Sequence, residues 1–357
     1  MEQHPQKQKR NFALDLLRVL ACFLVIWQHA SEYYYIGENV TVIHADSTYT
    51  IGFITSFDRI CVPLFVMISG YFLLPMKVSI STFFKKRFTR ILYPFVFWCI
   101  AFAVYYMFYR GDSLAACLTN IANIPLNFGT EVGHLWYIYM LIGMYLLVPV
   151  ISPWLERCSK RVLQFYLCIW FITTFLPYIH MAFPAVWGEC TWNVSPSLYY
   201  FTGFWGYLVL GFYAKKYGVP SAISSVLMII AGYAVSVYAF NTMVPLTDSA
   251  AEAETGWDFC SANVALMTWG FFSIISRIKV KKDNQITAII TDISLCSYGM
   301  YLAHIMLLNA WHDLLSDRLS NVLAAVPAIT LCTFITTYLV VKGLSYLPKQ
   351  KYWLGTD

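Results

Sequence analysis

Three ionisable residues interrupt one apolar run near the start of the chain. Residues 10–35 read RNFALDLLRVLACFLVIWQHASEYYY, apolar and long enough for a membrane-spanning helix, yet they carry Asp15, Arg18 and His29. Hydrocarbon penalises an ionisable side chain by several kcal/mol unless it faces a protein interior, so such residues are functional candidates by default. Arg18 and His29 are eleven residues apart. At about 100° and 1.5 Å per residue, that puts them within about 20° on one helix face and roughly 16 Å apart along the axis. One stripe thus carries a cation near one membrane surface and an imidazole beyond the middle. The plainer reading is an Asp15–Arg18 pair snorkelling at the interface and a hydrogen-bonded core histidine.

A neutral imidazole accepts and returns a proton near neutral pH, the chemistry of a general base, and His29 is the candidate for it. Glu32, three residues on, would orient the ring or else sit at the outer helix end. KKRFTR at 85–90 is a second constellation. Lys85, Lys86, Arg87 and Arg90 lie beside an apolar run, and on a helix Arg87 and Arg90 share a face suited to bidentate phosphate contacts or to anionic headgroups. Arg18 on the same side makes a polyphosphate ligand more plausible. Ser69-Gly70 inside VPLFVMISGYFLL (62–74) lets a helix or a ligand chain approach the backbone closely. GHLWYIYMLIGMYLLVP (133–149) sets His134 and Trp136 at the outer end of a span. SYGMYLAHIMLL (297–308) carries Tyr298 and puts His304 in an outer half. His134, Trp136, Tyr298 and His304 are therefore candidates for contact with a substrate, and His29, His134 and His304 are expected to converge on one cavity. No histidines are spaced i, i+4, so no metal is expected.

The elements that hold these residues follow from composition. The chain is 59% hydrophobic, 18% aromatic and only 12% charged, with mean hydropathy +0.59, whereas soluble domains carry about 25% charged residues. An all-α polytopic integral membrane protein is expected, built as a single domain over 1–357 with short tails at 1–11 and 344–357. Apolar spans fall at 13–34, 53–75, 91–109, 134–152, 162–180, 199–214, 221–240, 259–276, 287–308 and 321–343, about ten transmembrane helices. Three of the 24 Lys and Arg (Arg59, Arg110 and Arg318) fall on one side and Arg18 within the first span. The others gather on the opposite side, which places both termini in the cytoplasm. The net charge of +5 is scattered through short loops, unlike a nucleic-acid footprint. The first span is too long, and too interrupted, for a cleaved signal peptide.

The ten cysteines include no C-x-x-C pair, so neither a zinc site nor a redox motif is indicated. Cys190 and Cys260 fall in or beside outward loops, where an oxidising compartment permits a disulfide. The stretches at 35–52, 110–133, 181–198 and 241–258 read either as a lid over an outward cavity or as connectors.

Several stretches together resemble the membrane acyltransferase-3 family. They are LDLLR with its downstream His (14–29), VPLFVMISGY (62–71), FFKKRFTRILYPF (83–95), HLWYIYMLIGMYLLVP (134–149), GYLVLGFYAKKYG (206–218) and SYGMYLAH (297–304), in family order. The resemblance implies an O-acyltransferase, often an O-acetyltransferase, of a bacterial inner membrane. Such an enzyme takes an acyl group from cytoplasmic acyl-CoA, as donor substrate rather than tightly bound cofactor, and passes it to a hydroxyl of an extracytoplasmic or lipid-linked glycan. His29 then matches the catalytic histidine, Arg18 its paired arginine, and Arg87 and Arg90 the R-x-x-R loop. Lys86 and Ser69 join the donor site, and Trp136 or Ser69 is a candidate oxyanion donor. Longer family members carry an acidic pair where this chain has Leu141 and Ile142, which makes it more similar to the compact O-acetyltransferases. A transporter of a polar or lipid-linked glycan would use the same polar stripe differently. It needs a cavity able to open to both sides, where an acyltransferase needs a one-sided donor entrance narrowing toward His29.

Overall fold

The computed structural model describes residues 10–125, 130–183, 203–280 and 284–355. The chain starts with α1 (Phe12–Glu32), α2 (Asp46–Thr55), α3 (Cys61–Leu73), α4 (Ile80–Tyr109) and α5 (Leu114–Asn123). It continues through α6 (Trp136–Arg157), α7 (Lys160–Thr173), α8 (Leu176–Ala182), α9 (Trp205–Tyr217) and α10 (Ala222–Met243). The last elements are α11 (Ala250–Ala253), α12 (Ala262–Ile275), α13 (Gln285–Leu315) and α14 (Val322–Leu344). The described residues are helical, joined by turns and short 3₁₀ segments, and contain no strand.

Helix starts follow the local sequence. Asn11 accepts from the Ala13 N–H ahead of α1, Ser79 from Thr82 ahead of α4, and Asn284 closes a capping box with Thr287 ahead of α13. Polarity is arranged as lipid requires. Apolar side chains such as Phe97, Val150, Ile223 and Leu227 cover the exterior, while Asp15, Gln28, Asp58, Arg59, His134 and His304 are buried.

α1 is the central strut, packed against α13, α3 and α14. α3 packs on α9 at a distance only glycine permits. A Cβ on Gly70 would stand 1.8 Å from the Leu208 carbonyl oxygen, and one on Gly211 2.0 Å from that of Met67. Ser69-Gly70 is thus a close-approach point between helices.

Seven helices among the described residues are long and apolar enough to cross a membrane, or up to nine if each of two bent pairs is one span. The ten apolar runs of the sequence differ from this for a geometric reason. The 53–75 run belongs to a pair, Asp46–Thr55 and Asp58–Leu73, bent by 43°, and the 259–276 run to Ala250–Trp257 with Ala262–Ile275, bent by 45°. α9 has 13 residues, about 20 Å, short of the roughly 30 Å hydrocarbon core. Conversely α4 extends well before the 91–109 run. KKRFTR forms its first turns, and 30 residues make about 45 Å of helix, so its basic end projects past any apolar layer. Cys190 lies outside the described residues, and with it any pairing to Cys260.

After α14 the chain doubles back across α4. The Trp98 indole donates to the Trp353 carbonyl at 2.8 Å and Arg90 Nε to that of Gly355 at 3.0 Å.

Candidate functional site

Two facing stripes build the site. On α1, Asp15, Arg18, Cys22, Val25 and His29 recur at alternating spacings of three and four, which keeps them on one face. On α13, Ser294, Ser297, Tyr301 and His304 do the same, with Tyr298 beside Ser297, and the two helices pack together. Asp15, buried, accepts from Ser294 Oγ at 2.8 Å and from both Arg10 Nε at 3.0 Å and an Arg10 terminal nitrogen at 2.7 Å. It stands 3.6 Å from the Arg18 guanidinium. This carboxylate fixes two arginines at one end of the bundle. The Arg18 guanidinium also lies over the Phe72 ring at 5.1 Å.

Between the stripes opens a cavity of about 770 Å³. At its Arg18 end the wall carries Arg10, Arg18, Lys77, Arg87, Arg90 and Lys215, six cations from four stretches of the chain. Among the described residues that line the cavity, Asp15 is the one carboxylate beside them. Deeper in, the wall becomes apolar and aromatic, with Val25, Val62, Phe65, Tyr137, Leu141 and Tyr301. Ser69 is on the wall, its hydroxyl donating to the Phe65 carbonyl at 2.9 Å. Lys215 reaches back to the Leu74 carbonyl at 3.3 Å because the glycine contacts draw α9 onto α3.

Past Val25 and Tyr301, and off the cavity wall, lie three imidazoles. Ring centroids are 5.4 Å apart for His29 and His304, 6.3 Å for His29 and His134, and 5.1 Å for His134 and His304. His29 Nδ1 pairs with Glu32 Oε2 at 2.8 Å, and Gln28 Nε2 donates to the other Glu32 oxygen at 3.4 Å. A carboxylate only accepts, so Nδ1 carries the hydrogen, and in the neutral ring Nε2 of His29 then keeps its lone pair, the state a general base needs. Tyr301 joins the two compartments, since its ring lines the cavity and its hydroxyl donates to the His134 carbonyl.

The structure thus brings Arg18, Arg87, Arg90 and Ser69 to one cavity, and His29, Glu32, His134 and His304 to the centre beyond it. It separates three others. Lys86 is exposed on α4 and off the cavity wall. Trp136 packs on Phe204 and Phe259, away from the imidazoles. Tyr298, grouped by sequence with the outer-half residues, lines the cavity at its cationic end and donates to the Ile91 carbonyl at 3.2 Å. Sequence reasoning missed Arg10, Lys77, Lys215, Tyr137, Tyr145 and Tyr301. The 294–297–298–301–304 spacing on α13 is a legible signal for Tyr301; Lys77 and Lys215 carry no such signal.

A different charged cluster occupies the kink between α2 and α3. Arg59 is not a loop cation, because its side chain is 4% exposed. It lies 3.5 Å from Asp58 and 3.8 Å from Glu254, donates to Tyr35 Oη at 3.0 Å, and rests 4.3 Å over the Trp257 ring. Tyr35 in turn donates to Glu254, and the Trp257 indole to Ser56. Both bent helix pairs contribute to this cluster, so it ties their kinks together.

Compared with known proteins, residues 11–342 match the family model described as an acyltransferase domain, acyltransferase 3. No curated protein and no solved structure matches the chain.

Proposed function

The chain belongs to the acyltransferase-3 family, and from that premise we propose that it is a multi-pass membrane O-acyltransferase drawing on acyl-CoA, most simply acetyl-CoA, at the Arg18 end. The observation that carries this reading is the cavity itself. Six cations ring its entrance, its wall turns apolar along α1, and it ends at Val25, one helical turn short of His29. A donor with phosphates at one end and a thioester on a flexible arm matches that gradient. The phosphates would rest on Arg18, Arg87 and Arg90, with Arg10, Lys77 and Lys215 completing the ring. The arm would follow the roughly 16 Å of helix between Arg18 and His29.

In this reading the basic ends of α4 and α9 mark the cytoplasmic side, and the acceptor, a hydroxyl of a surface or lipid-linked glycan at a bacterial inner membrane, comes from the opposite side. His29 Nε2 takes the proton of the hydroxyl as its oxygen attacks the thioester carbonyl. The carbon–sulfur bond then breaks, and the imidazolium returns the proton to the departing thiolate. Glu32 holds the ring and stabilises its charged form. Arg18 acts on the donor. The cavity wall reaches Tyr137 and Tyr301 but includes none of His29, His134 and His304, which favours a donor site over a passage for a whole glycan.

The test is transfer of labelled acetyl groups from acetyl-CoA to membrane glycan precursors by purified protein, wild type against His29→Ala. Removing a general base costs about 10²- to 10⁴-fold. The variant should lose transfer by that factor while keeping its melting temperature and its affinity for CoA. Undiminished transfer would remove His29 from the reaction.

A further inference from the structure

His134 and His304 are not needed for the proton transfers just described, yet both lie within reach of the reacting centre. His304 is fully buried, and its Nδ1 is 2.7 Å from the Tyr301 carbonyl oxygen. A carbonyl only accepts, so this nitrogen carries the hydrogen and Nε2 is a bare acceptor. His134, 9% exposed, takes the Tyr301 hydroxyl on its backbone carbonyl. Neither His134 Nε2 nor His304 Nε2 has a hydrogen-bond partner among the described residues, and both atoms are buried. Their rings are 5.1 Å apart. Burying an acceptor without a donor costs about 1–3 kcal/mol, and here two such groups flank the base at once.

The surroundings point to what supplies the donor. One turn beyond His29 on α1, the Tyr33 ring stacks on His312 of α13 at 3.8 Å and 14°. Tyr33 also donates to Asn309, whose amide donates to Tyr105. Tyr105 stacks on Tyr109, which donates to Asp313 at 2.9 Å. Flat aromatic faces interleaved with amide and carboxylate groups suit a ring that is apolar on its faces and hydroxylated at its rim.

We propose that His134 and His304 receive the hydroxyl next to the one acylated, so that the acceptor is a vicinal diol, a sugar ring read at two adjacent positions. One hydroxyl gives its proton to His29 Nε2 and becomes the ester oxygen. Its neighbour donates to His304 Nε2 or His134 Nε2 and stays intact. This rests on the acyltransfer reading above and adds the chemistry of the acceptor to it.

The experiment uses small surrogate acceptors, cis-cyclohexanediol with adjacent hydroxyls against cyclohexanol, with labelled acetyl-CoA and the purified full chain. One hydrogen bond to a buried acceptor should favour the diol by at least about tenfold in kcat/KM. That preference should fall to near one in His304→Phe or His134→Phe and return partly in the matching glutamine variant, whose amide oxygen replaces Nε2 as acceptor. In parallel, the ¹⁵N resonance of a histidine Nε2 in the wild type should move with the diol and not with cyclohexanol, a readout that needs no turnover and no variant. Equal use of both alcohols by the wild type, a preference that survives in both phenylalanine variants, or resonances indifferent to the diol would each overturn the proposal. A diol-selective shift with transfer to neither alcohol would instead sink the acyltransferase reading and leave the diol site standing.

Discussion

Arg18 and Arg59 are both arginines within apolar stretches, and the protein treats them in opposite ways. Arg59 is 4% exposed and enclosed by groups of the chain itself, although its Nε and both Asp58 oxygens have no hydrogen-bond partner among the described residues. Asp58, Glu254, Tyr35 and the Trp257 face enclose it at the meeting point of two kinked helix pairs. Arg18 is 30% exposed, 3.6 Å from one carboxylate that Arg10 already grips more closely, and opens onto a cavity shared with five further cations. The difference is one of what the space around each cation holds. A cation enclosed by groups of the chain itself works as a strut, while six cations against one carboxylate among the described residues that line a cavity attract an anion into it. Burial alone therefore does not mark a functional charge in a membrane protein. What marks it is excess of one sign around a space.

The contrast predicts its largest effect at Arg59. Replacing it with alanine leaves Glu254 and Asp58 enclosed without their cation, and breaking a buried pair in this way costs about 3–5 kcal/mol. Thermal unfolding in detergent should show a marked loss of stability for Arg59→Ala. The fraction that remains folded should bind CoA as the wild type does. A variant that melts normally but has lost CoA would invert the assignment and make the kink cluster part of the donor site.

At Arg18 the order reverses. Arg18→Ala and Arg87→Ala should each weaken CoA binding by about tenfold or more, the scale of one charge-assisted hydrogen bond. Melting temperatures should stay close to that of the wild type, because neither side chain is enclosed. Added salt should shrink the difference, since these cations act across a wet cavity mouth. Isothermal titration with CoA at two ionic strengths measures both points, and an affinity unchanged by both substitutions would break the comparison from its other side.

How far these roles were legible in the sequence depends on whether one helix carries them. The Arg18–His29 stripe needs only the 3.6-residue period, and the same period would have picked out Ser294, Ser297, Tyr298 and Tyr301 running toward His304. Hydropathy located an apolar segment for each long helix. It could not tell a straight span from one bent at Asp58–Arg59, because a kink satisfied by Glu254 and Tyr35 leaves no trace in local composition. KKRFTR reads as a loop by charge although it is the start of α4, since backbone hydrogen bonding continues there whatever the side chains. Lys77 and Lys215 become neighbours of Arg18 only through the Gly70 and Gly211 contacts, a tertiary fact with no sequence period behind it.

Lys86 gives the smallest expected effect and the sharpest control. It sits in the same basic run as Arg87 and Arg90, so a reading based on local charge alone gives all three the same task. The helix spreads them over an arc. At about 100° per residue, Arg87 and Arg90 are about 60° apart, and Lys86 lies about 40° beyond Arg90, about 100° from Arg87 and at the edge of that arc. Arg87 and Arg90 accordingly line the cavity, and Lys86 is exposed outside it. Lys86→Ala removes the same formal charge as Arg87→Ala but no group that faces the cavity. Its CoA affinity should stay within about twofold of wild type, because an exposed cation that makes no contact in the cavity acts only through a salt-screened field. A loss as large as that of Arg87→Ala would show that the whole basic end of α4 attracts the donor through its summed charge. Which arginines face the cavity would then not matter, and the distinction between placed and merely present cations would fail at its most local test.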